Sequence, residues 1–154
     1  MNQGEWSYLG RPPLREPALR RALLRPGGLW RELDVLTETG STNADVADRA
    51  RAGAAEGVVL LADHQSAGRG RLTRGWTAPA RSSIACSVLL RPGQPREHDR
   101  GAWAAVDPSH WSWLGLIAGL AVVDTLTRIC GLEARLKWPN DVLVPAPPGA
   151  DGGA

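Results

Sequence analysis

The chain has 154 residues, the size of one domain, and its 43% apolar and 22% charged residues are typical of a globular protein. A formal net charge of +2 is too small to indicate a nucleic-acid or membrane-surface partner. The two cysteines, Cys86 and Cys130, lie in apolar runs, so we expect reduced, buried thiols of a cytoplasmic protein rather than a disulfide.

The first half of the chain alternates helices and strands. Residues 1–28 lack the apolar run of a secretory signal, and residues 1–14 are predicted to form a flexible segment. Apolar periodicity, turn residues and capping residues then predict five elements. They are a helix over 16–25, a strand over 33–37, a helix over 44–50, a buried strand over 58–62 and a strand over 84–90.

The second half contains the clearest helix of the chain, over residues 111–130. Its apolar stretch, residues 114–123, is about half of the roughly 20 residues that cross a bilayer, which predicts a core helix and no membrane span. The residues predicted on its apolar face are Leu114, Ile117, Ala118, Ala121, Val122 and Leu126.

The segments around this helix complete the predicted fold. Residues 91–110 are predicted to be a long connection without regular structure, and residues 145–154 a disordered tail. Two strands are predicted over 133–138 and 142–144. The order of elements predicts an α/β (α+β) fold with a mixed sheet and flanking helices.

A loop rich in glycine and arginine follows the buried strand, between Gln65 and Trp76. It contains three glycines and three arginines in Gln-Ser-Ala-Gly-Arg-Gly-Arg-Leu-Thr-Arg-Gly-Trp. Glycine lets a backbone approach a ligand closely, and the guanidinium group suits phosphate and carboxylate oxygens. The loop lacks the spacing of a Walker or dinucleotide-binding motif, and its composition also suits nucleic-acid contacts.

Of the 18 basic residues only Lys137 is a lysine, in Leu-Lys-Trp-Pro-Asn-Asp. A compact ammonium differs from a guanidinium, so an isolated lysine indicates a functional point charge. A leftover surface lysine is the equally weighted alternative from composition alone.

A second polar cluster, Gly40-Ser41-Thr42-Asn43, precedes the helix predicted over 44–50. Its side chains and free backbone N–H groups either cap the helix or face a ligand, and capping is the more ordinary role. Gln65 follows a buried strand, where open α/β sheets bind ligands.

Three of these motifs together resemble bacterial biotin protein ligases of the monofunctional type, which lack a DNA-binding domain, so no DNA partner is expected. They are Gly40-Ser41-Thr42-Asn43, the Gln65 to Trp76 loop and Lys137-Trp138-Pro139-Asn140-Asp141, in the family's order and at roughly its spacing. The resemblance implies the class II synthetase-like catalytic domain of biotin and lipoate ligases over residues 15–144.

The same resemblance implies a two-step reaction. Biotin and ATP, with Mg²⁺, form biotinyl-5′-AMP, and biotin then passes to a lysine of the biotin carboxyl carrier domain of acetyl-CoA carboxylase or a related carboxylase. The implied biotin-binding residues are Ser41, Thr42, Asn43, Gln65, Gly68, Arg69, Gly70, Arg71 and Lys137. The implied nucleotide-binding residues are Arg69, Arg71, Trp76, Lys137, Asn140 and Asp141, with Lys137, Arg69 and Arg71 catalytic.

The family pattern continues beyond this sequence. Ligases of this type carry a Gly-Gly-Ile-Leu segment, further strands that form the other wall of the ligand pockets, and a small C-terminal barrel. The domain is therefore expected to be incomplete at its C-terminus. Three alternatives to an active ligase stay open: a non-catalytic fragment, a lipoate ligase-like enzyme, and a nucleic-acid-binding module that uses the glycine and arginine loop.

Overall fold

A computed structural model describes residues 12–70, 75–98, 101–139 and 141–145. The chain divides into two compact units, each of which is described by itself. Unit 1 comprises the residues up to Arg91 together with His98, and unit 2 comprises residues 92–97 and those from Gly101 onward. The predicted terminal segments lie mostly outside the described residues, so these boundaries stay predictions.

Unit 1 is built on a three-stranded mixed sheet. Its strands are β1 (Glu32–Leu36), β2 (Val58–Ala62) and β5 (Ala85–Val88), in the order β1-β2-β5. β1 runs parallel to β2, and β5 runs antiparallel to β2. Two short strands that pair with each other, β3 (Gly68–Arg69) and β4 (Gly75–Trp76), lie between β2 and β5 in sequence.

Helices cover both faces of this sheet, which explains why β2 is apolar at every position. Leu33, Val59 and Leu61 pack on one face with residues of α1 (Glu16–Leu23). Val58 and Leu60 pack on the other face with α2 (Thr42–Arg51). Leu33 and Leu60 are completely buried. The mixed α/β fold and the strand predicted over 58–62 are thus confirmed.

Charged residues join the two helices of unit 1 to the edge strand β1. The Asp34 carboxylate accepts from Arg20 of α1 at 3.3 Å and from Arg49 of α2 at 2.5 Å. Arg49 also donates to Glu32 at 3.0 Å. These side chains are partly exposed, so the network adds orientation more than stability.

The region of residues 91–110 contains regular structure that the sequence did not predict. Strand β6 (Arg96–His98) pairs with β7 (Gly101–Trp103), and a 3₁₀ helix spans Pro108–His110. The prediction of an irregular connection was wrong because these strands are too short to produce a readable alternation of apolar and polar residues.

Unit 2 consists mainly of the helix α3 (Trp113–Cys130) and a two-stranded antiparallel sheet, β8 (Arg135–Lys137) and β9 (Asp141–Leu143). Gly119 lets the helix approach β8 closely, since a Cβ atom there would lie 2.5 Å from Leu136 Cδ1. Gly131, with a φ of 65°, ends the helix in the left-handed conformation that glycine adopts readily. The predicted helix and the two predicted strands are confirmed.

The burial predicted for α3 was wrong at four of the six positions on its predicted apolar face. Gly119 is its buried residue, and the half-buried positions are Leu114, Leu116, Val123 and Leu126. Ile117, Ala118, Ala121 and Val122 of the predicted apolar face are exposed. By length and composition alone, with a mean hydropathy of 1.5 over 18 residues, α3 would also qualify to cross a membrane, a test that core helices of soluble proteins pass as well.

The two cysteines are free thiols, as expected, but both are exposed rather than buried. Surrounding atoms nevertheless displace water from Cys86 on β5, and this desolvation raises the pKa of its thiol above the ordinary value. The apolar runs around the cysteines correctly predicted a strand and a helix. They did not show which side chains of those elements are buried.

Candidate functional site

The candidate site of unit 1 lies where β1 and β2 end. Beyond both strands the parallel pairing continues as an isolated bridge between Thr39 and Gln65. The N–H groups of Ser66 and Ala67 donate to the carbonyl oxygens of Thr39, at 3.0 Å, and Gly40, at 2.9 Å. This backbone pairing brings Gln65, three residues after β2, to the beginning of α2.

Gln65 and Thr42 are joined by two hydrogen bonds. Gln65 Oε1 accepts from the Thr42 N–H at 2.8 Å and from the Thr42 hydroxyl at 2.9 Å. An N–H group can only donate, so the amide atom that faces it must be the oxygen. The orientation of the Gln65 amide therefore follows from chemistry, and no described residue accepts a hydrogen bond from its nitrogen.

Ser41 and Thr42 are both buried, while Asn43 is exposed. Ser41 is the N-cap of α2, and its hydroxyl oxygen accepts from the Ala44 N–H at a long 3.4 Å. The capping role that the sequence favoured is thus present. A long cap bond leaves the remaining lone pair and the hydrogen of that hydroxyl free for a second partner.

The glycine and arginine loop forms a small hairpin at its two ends. Gly68 pairs with Trp76, and Arg69 pairs with Gly75. Gly68 is buried, and a Cβ atom there would lie 2.8 Å from the Trp76 carbonyl oxygen and 3.0 Å from its indole ring. Position 68 therefore requires glycine, because Trp76 lies directly against its backbone.

The charged residues of this loop are only partly described. Arg69 and Gly70 are exposed, and among the described residues Arg69 takes part in no ion pair. Arg71 lies outside the described residues. A free guanidinium on an exposed hairpin is available to an anionic ligand.

The predicted site residues of the second half lie in unit 2, on the β8–β9 hairpin. Lys137 is the last residue of β8 and stands opposite Asp141, the first residue of β9. Both side chains are exposed, and Trp138 is 76% exposed. Asn140 lies outside the described residues. The register places a cation and a carboxylate on neighbouring strands at the same end of one hairpin.

Several polar contacts of the site were not predicted from the sequence. Ser87 of β5 lies 2.9 Å from the Thr42 hydroxyl. The Thr39 hydroxyl donates to Asp45 of α2 at 2.5 Å, and His64 lies 3.3 Å from Glu38. A serine inside the apolar run over 84–90 was the available signal for Ser87, while the other contacts depend on how β1 and β2 end.

The described residues contain no group of three or more His, Cys, Asp or Glu side chains that could hold a metal ion. Elsewhere in unit 2, hydrogen bonds from the Ser109 hydroxyl and N–H lower the pKa of the Asp107 carboxyl below its ordinary value. That exposed turn lies before α3 and contains no residue of the predicted site.

The mixed α/β fold of this chain matches that of solved biotin protein ligases. A biotin protein ligase from Aquifex aeolicus, solved in complex with biotin and ATP, superposes with a TM-score of 0.54 at 30% identity. That match covers 73% of this chain and 41% of the other.

The chain belongs to the biotin/lipoate A/B protein ligase family, whose family model matches residues 35–151. It is 49% identical over 137 residues to the biotin–[acetyl-CoA-carboxylase] ligase of Mycobacterium tuberculosis, covering 86% of this chain and 47% of that protein. The enzyme of the same name from Paracoccus denitrificans is 41% identical over 112 residues, covering 71% and 41%. The chain thus spans about half the length of the curated relatives it matches.

Proposed function

We propose that the chain carries the first part of a biotin protein ligase active site, which activates biotin with ATP and transfers it to a carrier protein. The observation that carries the proposal is the fixed Gln65 amide at the carboxyl ends of β1 and β2. The relatives' names supply the reaction class.

Biotin is proposed to place its neutral ureido ring against Ser41, Thr42 and Gln65. A cyclic urea offers one carbonyl oxygen as acceptor and two N–H groups as donors. The free Gln65 amide nitrogen suits the carbonyl oxygen, and the Ser41 hydroxyl can accept from an N–H. Asn43, exposed next to this pair, is assigned to the edge of the same pocket.

The charged end of the reaction is assigned to the cations. A biotin carboxylate oxygen attacks the α-phosphorus of ATP, and pyrophosphate leaves. This step brings like charges together, so cations must offset the charge that develops in the transition state. We assign Lys137 to the biotin carboxylate and the α-phosphate, and Arg69 and Arg71 to the phosphates.

The nucleotide itself is assigned to three further residues, Trp76, Asn140 and Asp141. Mg²⁺ is proposed to arrive with ATP, because it keeps phosphate and water oxygens as most of its ligands and adds one or two carboxylates. Asp141 is the carboxylate that stands opposite Lys137 on the hairpin.

The glycine-rich hairpin is proposed to close over biotin and its adenylate through the backbone of residues 68–71. An acyl adenylate is readily hydrolysed, so a closing loop protects it by excluding water. Contact between Gly68 and Trp76 fixes the base of the hairpin, about which such a loop would move.

In the second step a lysine amine of the carrier domain attacks the acyl carbonyl carbon, and AMP leaves. The names of the relatives indicate acetyl-CoA carboxylase as the protein that bears this domain. We propose a cytoplasmic location, where ATP and the carboxylase are available. Since the chain spans about half of those relatives, a fragment that binds biotin without completing transfer is the competing proposal.

The proposal is tested by incubating the chain with biotin, MgATP and a carrier domain, and probing the carrier for biotin. We expect transfer that Lys137→Ala abolishes. Arg135→Ala is the matched control, because Arg135 is an exposed cation two residues away on the same face of β8. Equal losses in both variants, or no transfer by folded protein, would contradict the ligase proposal.

Calorimetry with biotin and with biotinyl-5′-AMP separates the fragment from the enzyme, since a binding fragment gives heat with biotin but no labelled carrier. The family also includes lipoate ligases. A dithiolane ring has no carbonyl oxygen for the Gln65 amide nitrogen, so biotin should bind more tightly than lipoate, and the opposite preference would favour the lipoate reaction.

A further inference from the structure

A half-buried serine on the third strand of the unit 1 sheet extends the contact between Gln65 and Thr42 across that sheet. Ser87 Oγ lies 2.9 Å from Thr42 Oγ1, and Thr42 Oγ1 lies 2.9 Å from Gln65 Oε1. These three side chains come from β5, the start of α2 and the segment after β2. All of them belong to unit 1.

The direction of each hydrogen bond in this chain of contacts follows from the number of hydrogens. Gln65 Oε1 is a carbonyl oxygen and can only accept, so the Thr42 hydroxyl donates its single hydrogen to it. That hydroxyl has no second hydrogen for Ser87. The Ser87 hydroxyl must therefore donate to Thr42, although the distance alone allows either direction.

We propose that Ser87 is a positioning residue for the ligand, acting only through Thr42 and Gln65. By donating to Thr42 Oγ1, it holds the Thr42 hydroxyl in the rotamer that donates to Gln65 Oε1. The Gln65 amide then presents two N–H donors, and no acceptor, toward the ligand. Ser87 thereby reinforces the orientation that the Thr42 N–H already favours, in which the amide faces an acceptor atom such as the carbonyl oxygen of a neutral cyclic urea.

The local packing supports a role in orientation. Thr42 is 3% exposed, so water cannot replace a lost partner of its hydroxyl. The Thr42 N–H also donates to this Gln65 oxygen, so the rotation of the Thr42 hydroxyl is what remains to be fixed. This role deepens the proposed function and rests on it for the identity of the ligand.

The test is a set of variants measured by biotin binding in calorimetry. Ser87→Ala should lower the affinity for biotin about fivefold, which corresponds to one hydrogen bond of ordinary net strength. Ser87→Thr, which keeps the hydroxyl, should restore the affinity to within about twofold of the wild type. Cys86→Ala is the matched control, since it removes one heavy atom from the adjacent residue on the opposite face of β5.

A double-mutant cycle separates positioning from general support of the fold. In a Gln65→Ala background, Ser87→Ala should change the affinity by less than about twofold, because the group it orients is gone. The same fivefold loss in both backgrounds would overturn the proposal, as would a Cys86→Ala variant that behaves like Ser87→Ala.

A measurement without ligand distinguishes a failure of this inference from a failure of the proposed function. The side-chain NH₂ resonances of Gln65 should shift in Ser87→Ala and stay in place in Cys86→Ala. If the wild type binds no biotin, the function proposed above fails, and these resonances alone decide whether Ser87 orients the amide. Unchanged Gln65 resonances in Ser87→Ala would reject the inference.

Discussion

The sheet of unit 1 and the helix α3 of unit 2 are both made of apolar sequence, yet they differ in what covers them. β2 is buried at all five positions because α1 and α2 lie on opposite faces of its sheet. α3 carries a longer apolar run, but Gly119 is its single buried residue among those described. An apolar pattern therefore indicates that a surface is suited to burial. Whether that surface is buried depends on the other parts of the fold.

The largest expected effect tests this contrast directly. Leu60→Ala should lower the free energy of unfolding by about 2–5 kcal/mol, because it opens a cavity in a completely buried site. Ile129→Ala on α3, where the side chain is 79% exposed, should change it by less than about 0.5 kcal/mol. Urea denaturation of both variants measures the difference, and similar losses would show that α3 is covered in solution.

The next effect concerns the hairpin in unit 1. Gly68→Ala forces a Cβ atom against the Trp76 backbone and should cost about 1–3 kcal/mol, as overpacking usually does, and should also weaken biotin binding. Gly75→Ala is the control, because its Cβ atom would meet nothing nearer than the Gly68 carbonyl oxygen at 4.0 Å. Thermal unfolding and calorimetry of the pair check this, and a Gly75 variant as impaired as the Gly68 variant would contradict the steric argument.

Two glycines of α3 test whether this helix packs against β8. A Cβ atom added at Gly115 would meet nothing within 4 Å, so Gly115→Ala should stabilise the helix by about 0.5–1 kcal/mol through helix propensity. Gly119→Ala gains the same propensity but must displace Leu136, so it should be the less stable variant. Thermal unfolding followed by circular dichroism compares them, and equal gains would mean that α3 does not pack on β8.

The smallest effect comes from the ion pairs on β1. Asp34→Asn removes the partner of Arg20 and Arg49, and the loss from the pair with the partly exposed Arg49 should be about 0.2–1 kcal/mol. It should shrink further in high salt, which screens exposed charges. Urea denaturation at low and high salt measures this loss. A value as large as that of Leu60→Ala would mean that charge, rather than the apolar core, holds the helices of unit 1 on the sheet.

The sequence predicted which residues form helices and strands better than it predicted which side chains are buried or in contact. The strand over 58–62 and the helix ending at Cys130 were identified because their signals are local, either a continuous apolar run or a helix closed by glycine. The contact of Gln65 with Thr42 spans 23 residues, and that of Thr42 with Ser87 spans 45. No local pattern carries such pairings, so Ser87 was missed although its two partners were named.

The occupied start of α2 has a consequence for where charge can bind. A helix N-terminus attracts phosphate through its unpaired N–H groups, but Gln65 occupies the Thr42 N–H and Ser41 occupies that of Ala44. Asp45 adds a negative charge to the same first turn. That end of the helix therefore disfavours a phosphate group and is suited to a neutral ligand.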